Sequence, residues 1–190
     1  MKRAKETPNV ENKLLENLPN TNRYERSYMH KDLISHVLVS HRYDFIFTVS
    51  IDGFLKFWKK AETGIELVKT FRAHLSKVSG VALSSNEQRL ATVCPADESM
   101  KLFDVVNFDI MHMAKLDFVP SVCEFVDDVS SFSPILAIGE QNEPTIRIVN
   151  VEQVPEDGTT ITSKKIEDLH DTPVRLIKYN SQLNLAVSTD

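Results

Sequence analysis

The sequence has little of what reactive and membrane-bound sites usually need. Of its 190 residues only two are cysteines, Cys94 and Cys123, with no C-x-x-C pair. Neither a disulfide framework nor a zinc ribbon is indicated. The five glycines, Gly53, Gly64, Gly80, Gly139 and Gly158, are scattered and mostly near turns. A phosphate-cradling loop needs them clustered. No apolar run approaches the ~18 residues of a membrane span, and the start lacks the apolar stretch of a signal peptide. Positive charge is scarce outside the start. Residues 1–31 carry seven Lys/Arg and four Glu, a net of +3, whereas the whole chain is −5, which leaves −8 on the rest. A body of that sign does not hold a phosphate backbone by bulk electrostatics. The expectation is a soluble intracellular protein with no membrane, no direct nucleic-acid contact and no cofactor.

What is present is apolar and periodic. Apolar residues make up 42% of the chain, enough for a packed core. Three short alternating runs recur: Lys56-Phe57-Trp58-Lys59, Lys101-Leu102-Phe103-Asp104 and Arg147-Ile148-Val149-Asn150, spaced 45 and 46 residues apart. Six residues before each bulky position stands an acid: Asp52, Asp97 and Glu143. A fourth acid, Asp190, ends the chain. Each unit holds short β-branched and aromatic runs separated by turn residues, as strands are. Only Val10–Leu18 has a weak helical period.

Four short strands per unit of about 45 residues is the sequence mark of a propeller blade. The chain resembles the WD-repeat family at specific positions. That family places a His before the first strand of a blade, a Ser/Thr and an Asp around the second turn, and a Trp on the third strand. Unit one matches with His30, Ser50, Asp52 and the single Trp, Trp58. Unit two matches with His74 and Asp97, with Phe103 in place of Trp. Unit three keeps Glu143 and the strand pattern. Unit four has His170, Ser188 and Asp190.

The fold expected is all-β: a partial, open WD-repeat propeller of about three and a half four-stranded antiparallel blades. Its blades fall near 30–73, 74–117, 118–169 and an incomplete 170–190, after an irregular segment 1–28 with a possible short helix. An arc of that length reads as a piece of a longer propeller protein. Such an arc leaves unpaired edges, and poor solubility is expected of it alone.

A closer resemblance lies in "RYERSYMHKDLISHV", "DGFLKFWKK", "GIELVKTFRAH" and "KLFDVVNFDI". These strings are similar to the WD-repeat half of the peptidyl-prolyl isomerase family that joins a propeller to a C-terminal cyclophilin domain. The resemblance runs from Leu14 to Asp190. It implies a nuclear, spliceosome-associated protein with spliceosomal protein partners. The isomerase chemistry it implies belongs to the cyclophilin part, which has no counterpart in these residues.

Sharper chemical readings meet specific objections. His, Ser and Asp within one unit suggest a hydrolase, but there is no G-x-S-x-G elbow and the repeat explains the spacing. His30, His36 and His41 suggest a metal, yet six residues of strand separate His30 from His36 by about 20 Å. Phe54, Phe57 and Trp58 among Lys56, Lys59 and Lys60 suggest base stacking, but strand alternation puts aromatics inside and lysines in water. The reading carried forward is a structural hydrogen-bond network of His30, Ser50, Asp52, Trp58, His74, Asp97, His170, Ser188 and Asp190 that fixes strand register, with no catalytic or metal residue. The polar insertion Glu152–Thr160 is either a solvated loop or a partner-facing excursion.

Overall fold

The computed structural model describes residues 29–62, 64–127, 134–154, 159–161 and 163–190. The chain divides into two units, Met1–Lys31 and Asp32–Asp190. In the first, only residues 29–31 are described, so the expected helical run Val10–Leu18 lies outside the described residues.

The second unit is built from antiparallel sheets taken in chain order. Strands β1 (Ile34–Ser40), β2 (Phe45–Ser50), β3 (Phe54–Ala61) and β4 (Gly64–Arg72) form the first sheet. Strands β5 (Gly80–Leu83), β6 (Arg89–Cys94), β7 (Ser99–Asp104) and β8 (Asp109–Lys115) form the second. The third holds β9 (Pro120–Phe125), β10 (Ile135–Glu140), β11 (Ile146–Asn150) and β12 (Lys164–Ile166), and β13 (Leu176–Asn180) with β14 (Leu185–Thr189) makes a two-stranded fourth. Every neighbour pair is sequential in the chain and antiparallel. This is the all-β, open partial WD-repeat propeller that the repeat predicts. Among the described residues the insertion contributes a short 3₁₀ turn, Val151–Gln153, capped by the Asn150 side chain.

Alternation decides where the core sits. In a strand, successive side chains point to opposite faces, so each sheet offers one face to each neighbour. The face of sheet one carrying Phe45, Phe47, Val49, Leu55, Phe57 and Phe71 packs with Leu90, Phe103 and Val105 of sheet two. Aromatic rings dominate this layer: Phe47 and Phe57 meet edge to face at 4.8 Å, and Phe71 lies 5.0 Å from Phe103 across the sheets. The opposite face of sheet two, with Ala91, Val93, Met100 and Leu102, packs on Phe125, Leu136, Ile138 and Val149 of sheet three. Ala137 and Ile146 then meet Val174 and Ile177 at sheet four.

Two glycines permit the close approaches. Gly53 sits at φ +83°, and a Cβ there would collide with the His74 carbonyl oxygen. Its own carbonyl accepts the His74 N–H at 3.1 Å, tying the β2–β3 turn to the segment leading into sheet two. Gly80 opens the innermost strand of sheet two, where a Cβ would stand 2.7 Å from the Cys123 nitrogen of sheet three.

Candidate functional site: histidine locks at one end of the sheets

The polar landmarks of the Asp32–Asp190 unit gather at one end of the sheets. The segments leading into each first strand lie there, together with the turns joining second to third strands. Sheet two shows the arrangement in full. His74 is 1% exposed, and its Nδ1 stands 3.1 Å from Asp97 Oδ2. A carboxylate only accepts, so Nδ1 carries the proton and donates. Nε2 is then the acceptor, and takes the hydroxyl proton of buried Thr92 at 2.8 Å. Ser99 Oγ lies 3.3 Å from Nδ1. Three separate pieces of chain are thereby joined through one ring: the approach to β5, strand β6, and the β6–β7 turn.

Electrostatics keep this set neutral at the ring. Burial pushes the His74 pKa below its ordinary value of 6.5, although Asp97 pulls it upward. For Asp97, burial alone would raise the carboxyl. Hydrogen bonds from Cys94 and His74 outweigh it and hold the group below its usual range. Cys94, also buried, has its thiol pushed up by desolvation and by the Asp97 charge, so it stays protonated, with Sγ 3.4 Å from the Lys77 carbonyl. His74, Cys94 and Asp97 bring a nitrogen, a sulfur and an oxygen within 4.8 Å of one another, the one such group among the described residues. A metal there would have to displace the Nδ1 proton and the thiol proton. The hydrogen-bonded arrangement needs neither removed.

Sheet four repeats the motif more openly. His170 Nε2 pairs with Ser188 Oγ at 2.7 Å, and Nδ1 is 3.6 Å from Asp190. Asp190 also accepts from the Thr172 amide and hydroxyl, each at 3.2 Å, which holds its carboxyl below its ordinary value.

Sheet one distributes the same residue types differently. Ser50 donates to Asp52, and the Phe54 amide reaches the same Asp52 oxygen at 3.4 Å, an Asx-type brace of the turn. The Trp58 indole N–H donates to Thr48 Oγ1 at 2.7 Å, not to Ser50. His30 falls in the Met1–Lys31 unit, half-buried and outside any strand. Of the other histidines considered for metal, His36 lies on β1 with Nδ1 3.0 Å from Ser35 Oγ, and His41 is an exposed turn residue.

Sheet three replaces the lock. Glu143, the expected acid, is exposed and stands 3.9 Å from Lys165. The buried polar pair is instead Arg147 with Glu140, joined Nε to carboxylate, while the guanidinium lies 4.8 Å over the Phe118 ring. Asp117 at 3.8 Å and Ser163 at 3.3 Å take Nη1.

Thr48, Thr92, Glu140 and Arg147 are among the members that reading the sequence missed. For the threonines a signal existed: Thr92 follows His74 by 18 residues, as Ser188 follows His170 and Thr48 follows His30. For Arg147 and Glu140 there was none beyond the basic position of the third-strand run.

Comparison with known proteins agrees with the sheets. The family described as WD domain, G-beta repeat, matches residues 65–104, from β4 through β7. Peptidyl-prolyl cis-trans isomerase cyp15 of Rhizopus delemar is 37% identical over 190 residues, covering all of this chain and 29% of its own length. The peptidylprolyl isomerase domain and WD repeat-containing protein 1 of Homo sapiens is 41% identical over 180 residues, 93% of this chain and 26% of that protein. Peptidyl-prolyl cis-trans isomerase CYP71 of Arabidopsis thaliana is 37% identical over 178 residues, 93% of this chain and 27% of that protein.

The chain belongs with the WD-repeat part of this isomerase family. It spans between a quarter and a third of the length of these relatives. The portion aligned is their WD-repeat part, and their isomerase domain lies in the remainder. No isomerase residue is therefore assigned to this chain.

Proposed function

We propose that this chain is a WD-repeat interaction scaffold for protein partners of a nuclear pre-mRNA splicing assembly, in a protein whose full length carries prolyl cis-trans isomerase activity. The observation that carries the scaffold reading is the His74–Thr92–Asp97 lock. It combines a neutral buried imidazole, a protonated thiol and a carboxylate that already accepts hydrogen bonds. Such a set has no activated nucleophile. What it does is pin the rim loops of one end of the sheets, and loops on a rigid frame are where partners are recognised. The names of the relatives support the isomerase link. The splicing link rests on the resemblance of the sequence.

Two measurements test the proposal. The full-length protein, tagged and recovered from nuclear extract, is expected to bring splicing proteins with it. Recovery with an unrelated assembly would favour a general WD-repeat adaptor instead. A prolyl-isomerase assay on the 190-residue chain is expected to show only background. Turnover abolished by one point change within it would overturn the scaffold assignment.

A further inference from the structure

The end of the sheets that the locks hold also borders a groove. A cavity of about 740 Å³ is lined from sheet one by Ile34 and His36, from sheet two by Lys77 and Val78, and from sheet three by Ser121 and Gln141. A second cavity of about 480 Å³ shares Ser121 and Gln141 and adds Thr172, Pro173 and Arg175 beside sheet four. Together they run past the start of the first strand of every sheet. Those strands, β1, β5, β9 and β13, are each paired on one side only within their sheets.

The charge of this groove is opposite to that of the chain. The protein carries 27 acidic and 22 basic residues, yet the lining of both cavities includes Lys77 and Arg175 and no Asp or Glu. The acids near this end are already engaged. Asp97 is bound to His74, Asp52 accepts from Ser50, Glu140 is paired with Arg147, and Asp190 accepts from Thr172 at the edge of the second cavity, while Asp171 borders a separate depression beside His170. The rim is also apolar: Leu33 and Ile34 are 72% and 43% exposed, and both line the larger cavity. Ser79 and Ser121 spend their hydroxyl protons on backbone carbonyls, which leaves lone pairs to accept. A compact anion has no use for such a layout, because the cations belong to different cavities rather than converging. An extended chain does: carboxylates for the two cations, N–H groups for the serine lone pairs, and an apolar side chain for the rim.

We propose that this groove docks an extended acidic peptide segment of a protein partner, with Lys77 and Arg175 taking carboxylates on either side of Ser121 and Gln141 and an apolar side chain lying against Leu33 and Ile34. This rests on the scaffold reading and names the chemistry of its partner.

The test is fluorescence anisotropy on the full 190-residue chain with four short peptides: Asp/Glu-rich around one Leu, its Asn/Gln counterpart, its Lys-rich counterpart, and a form with phosphoserine in place of the acids. The acidic peptide is expected to bind, at least about tenfold tighter than the Asn/Gln form, and more weakly as salt rises. Lys77→Glu and Arg175→Glu should each cost about tenfold, while Lys60→Glu on β3, outside the groove, should cost nothing. Lys77→Ala, with its melt compared to wild type, guards against a variant lost to misfolding. Equal binding of acidic and Asn/Gln peptides, an equal loss in Lys60→Glu, preference for the phosphoserine form, or no binding at all would each overturn the proposal. The two readings fail separately. If Lys77→Glu with Arg175→Glu still recovers the splicing partners, the groove assignment fails and the scaffold stands. If neither protein recovers partners, the scaffold fails and the peptide titration alone judges the groove.

Discussion

Asp97 accepts from a ring that is almost wholly out of water, and that decides what its loss costs. In Asp97→Ala the Nδ1–H of His74 keeps its burial and loses its acceptor. An unmade bond to a buried donor costs about 1–3 kcal/mol, so the melting temperature should fall by several degrees. The Arg147–Glu140 pair is deeper and should cost more. Glu140→Ala leaves a guanidinium buried against Phe118 with its nearest carboxylate gone, an expected loss of about 3–5 kcal/mol. Replacing both with apolar residues of similar volume should cost clearly less, and denaturant unfolding of the three variants reads the difference. The pH dependence follows from His74 itself. Its folded pKa lies below 6.5, so in acid the unfolded chain takes up the proton more readily. The stability is therefore fully present above about 6.5 and is lost as pH falls through the folded value. His36 is shifted the same way, by burial first, with the Ser79 backbone opposing it and the Lys77 charge adding to it. Thermal melts from about pH 7 down to about pH 5 should decline, and His74→Gln should flatten the slope without abolishing it.

At the scale of the strand and sheet, most of the organisation was readable because alternation is a local property. Runs such as Phe54–Ala61 and Ser99–Asp104 carry their inward and outward faces in consecutive residues. The 45-residue spacing then puts Phe103 opposite Leu90 just as Trp58 stands opposite Ile46. The locks were half readable. Ser50, next to Asp52, drew the assignment that belongs to Thr48, because neighbours in sequence look like neighbours in a network. On a strand, however, Ser50 and Thr48 share a face, and the indole of Trp58 reaches the nearer hydroxyl. Sheet three was unreadable at this point. Ile138 occupies the Thr92 position, so no hydroxyl marks it, and Glu140 meets Arg147 only across a hairpin turn. The groove gave no signal at all, being assembled from single residues of four sheets. Gly53 is where element and neighbour depend on each other. At φ +83° and against the His74 carbonyl, Gly53→Ala combines backbone strain with a collision. It should destabilise the chain by more than the ~1 kcal/mol usual for glycine in an open turn, measured by chemical unfolding.

Across the whole Asp32–Asp190 unit the aromatic core and the locks divide the work. Phe47, Phe57, Phe71 and Phe103 hold sheet to sheet without direction, while His74 fixes which turn meets which strand. The arc also carries apolar surface on its two outermost sheets: Val37, Val39 and Leu67 on sheet one, and Leu176, Leu185 and Val187 on sheet four are all exposed. Faces of this kind promote self-association when left in water. Light scattering should show association that grows with concentration, and Val37→Lys with Val187→Lys should reduce it.

The histidine set acts as a mechanical lock on the groove rim. Native-state hydrogen exchange on the wild type and on Asp97→Ala tests it most directly. Loss of the carboxylate should speed exchange at the amides of His74, Ser79 and Leu116, which bond to or across the locked turns, and leave β2 amides such as Phe47 unchanged. Unchanged exchange at His74 and Leu116, or an equal rise throughout the sheets, would contradict it.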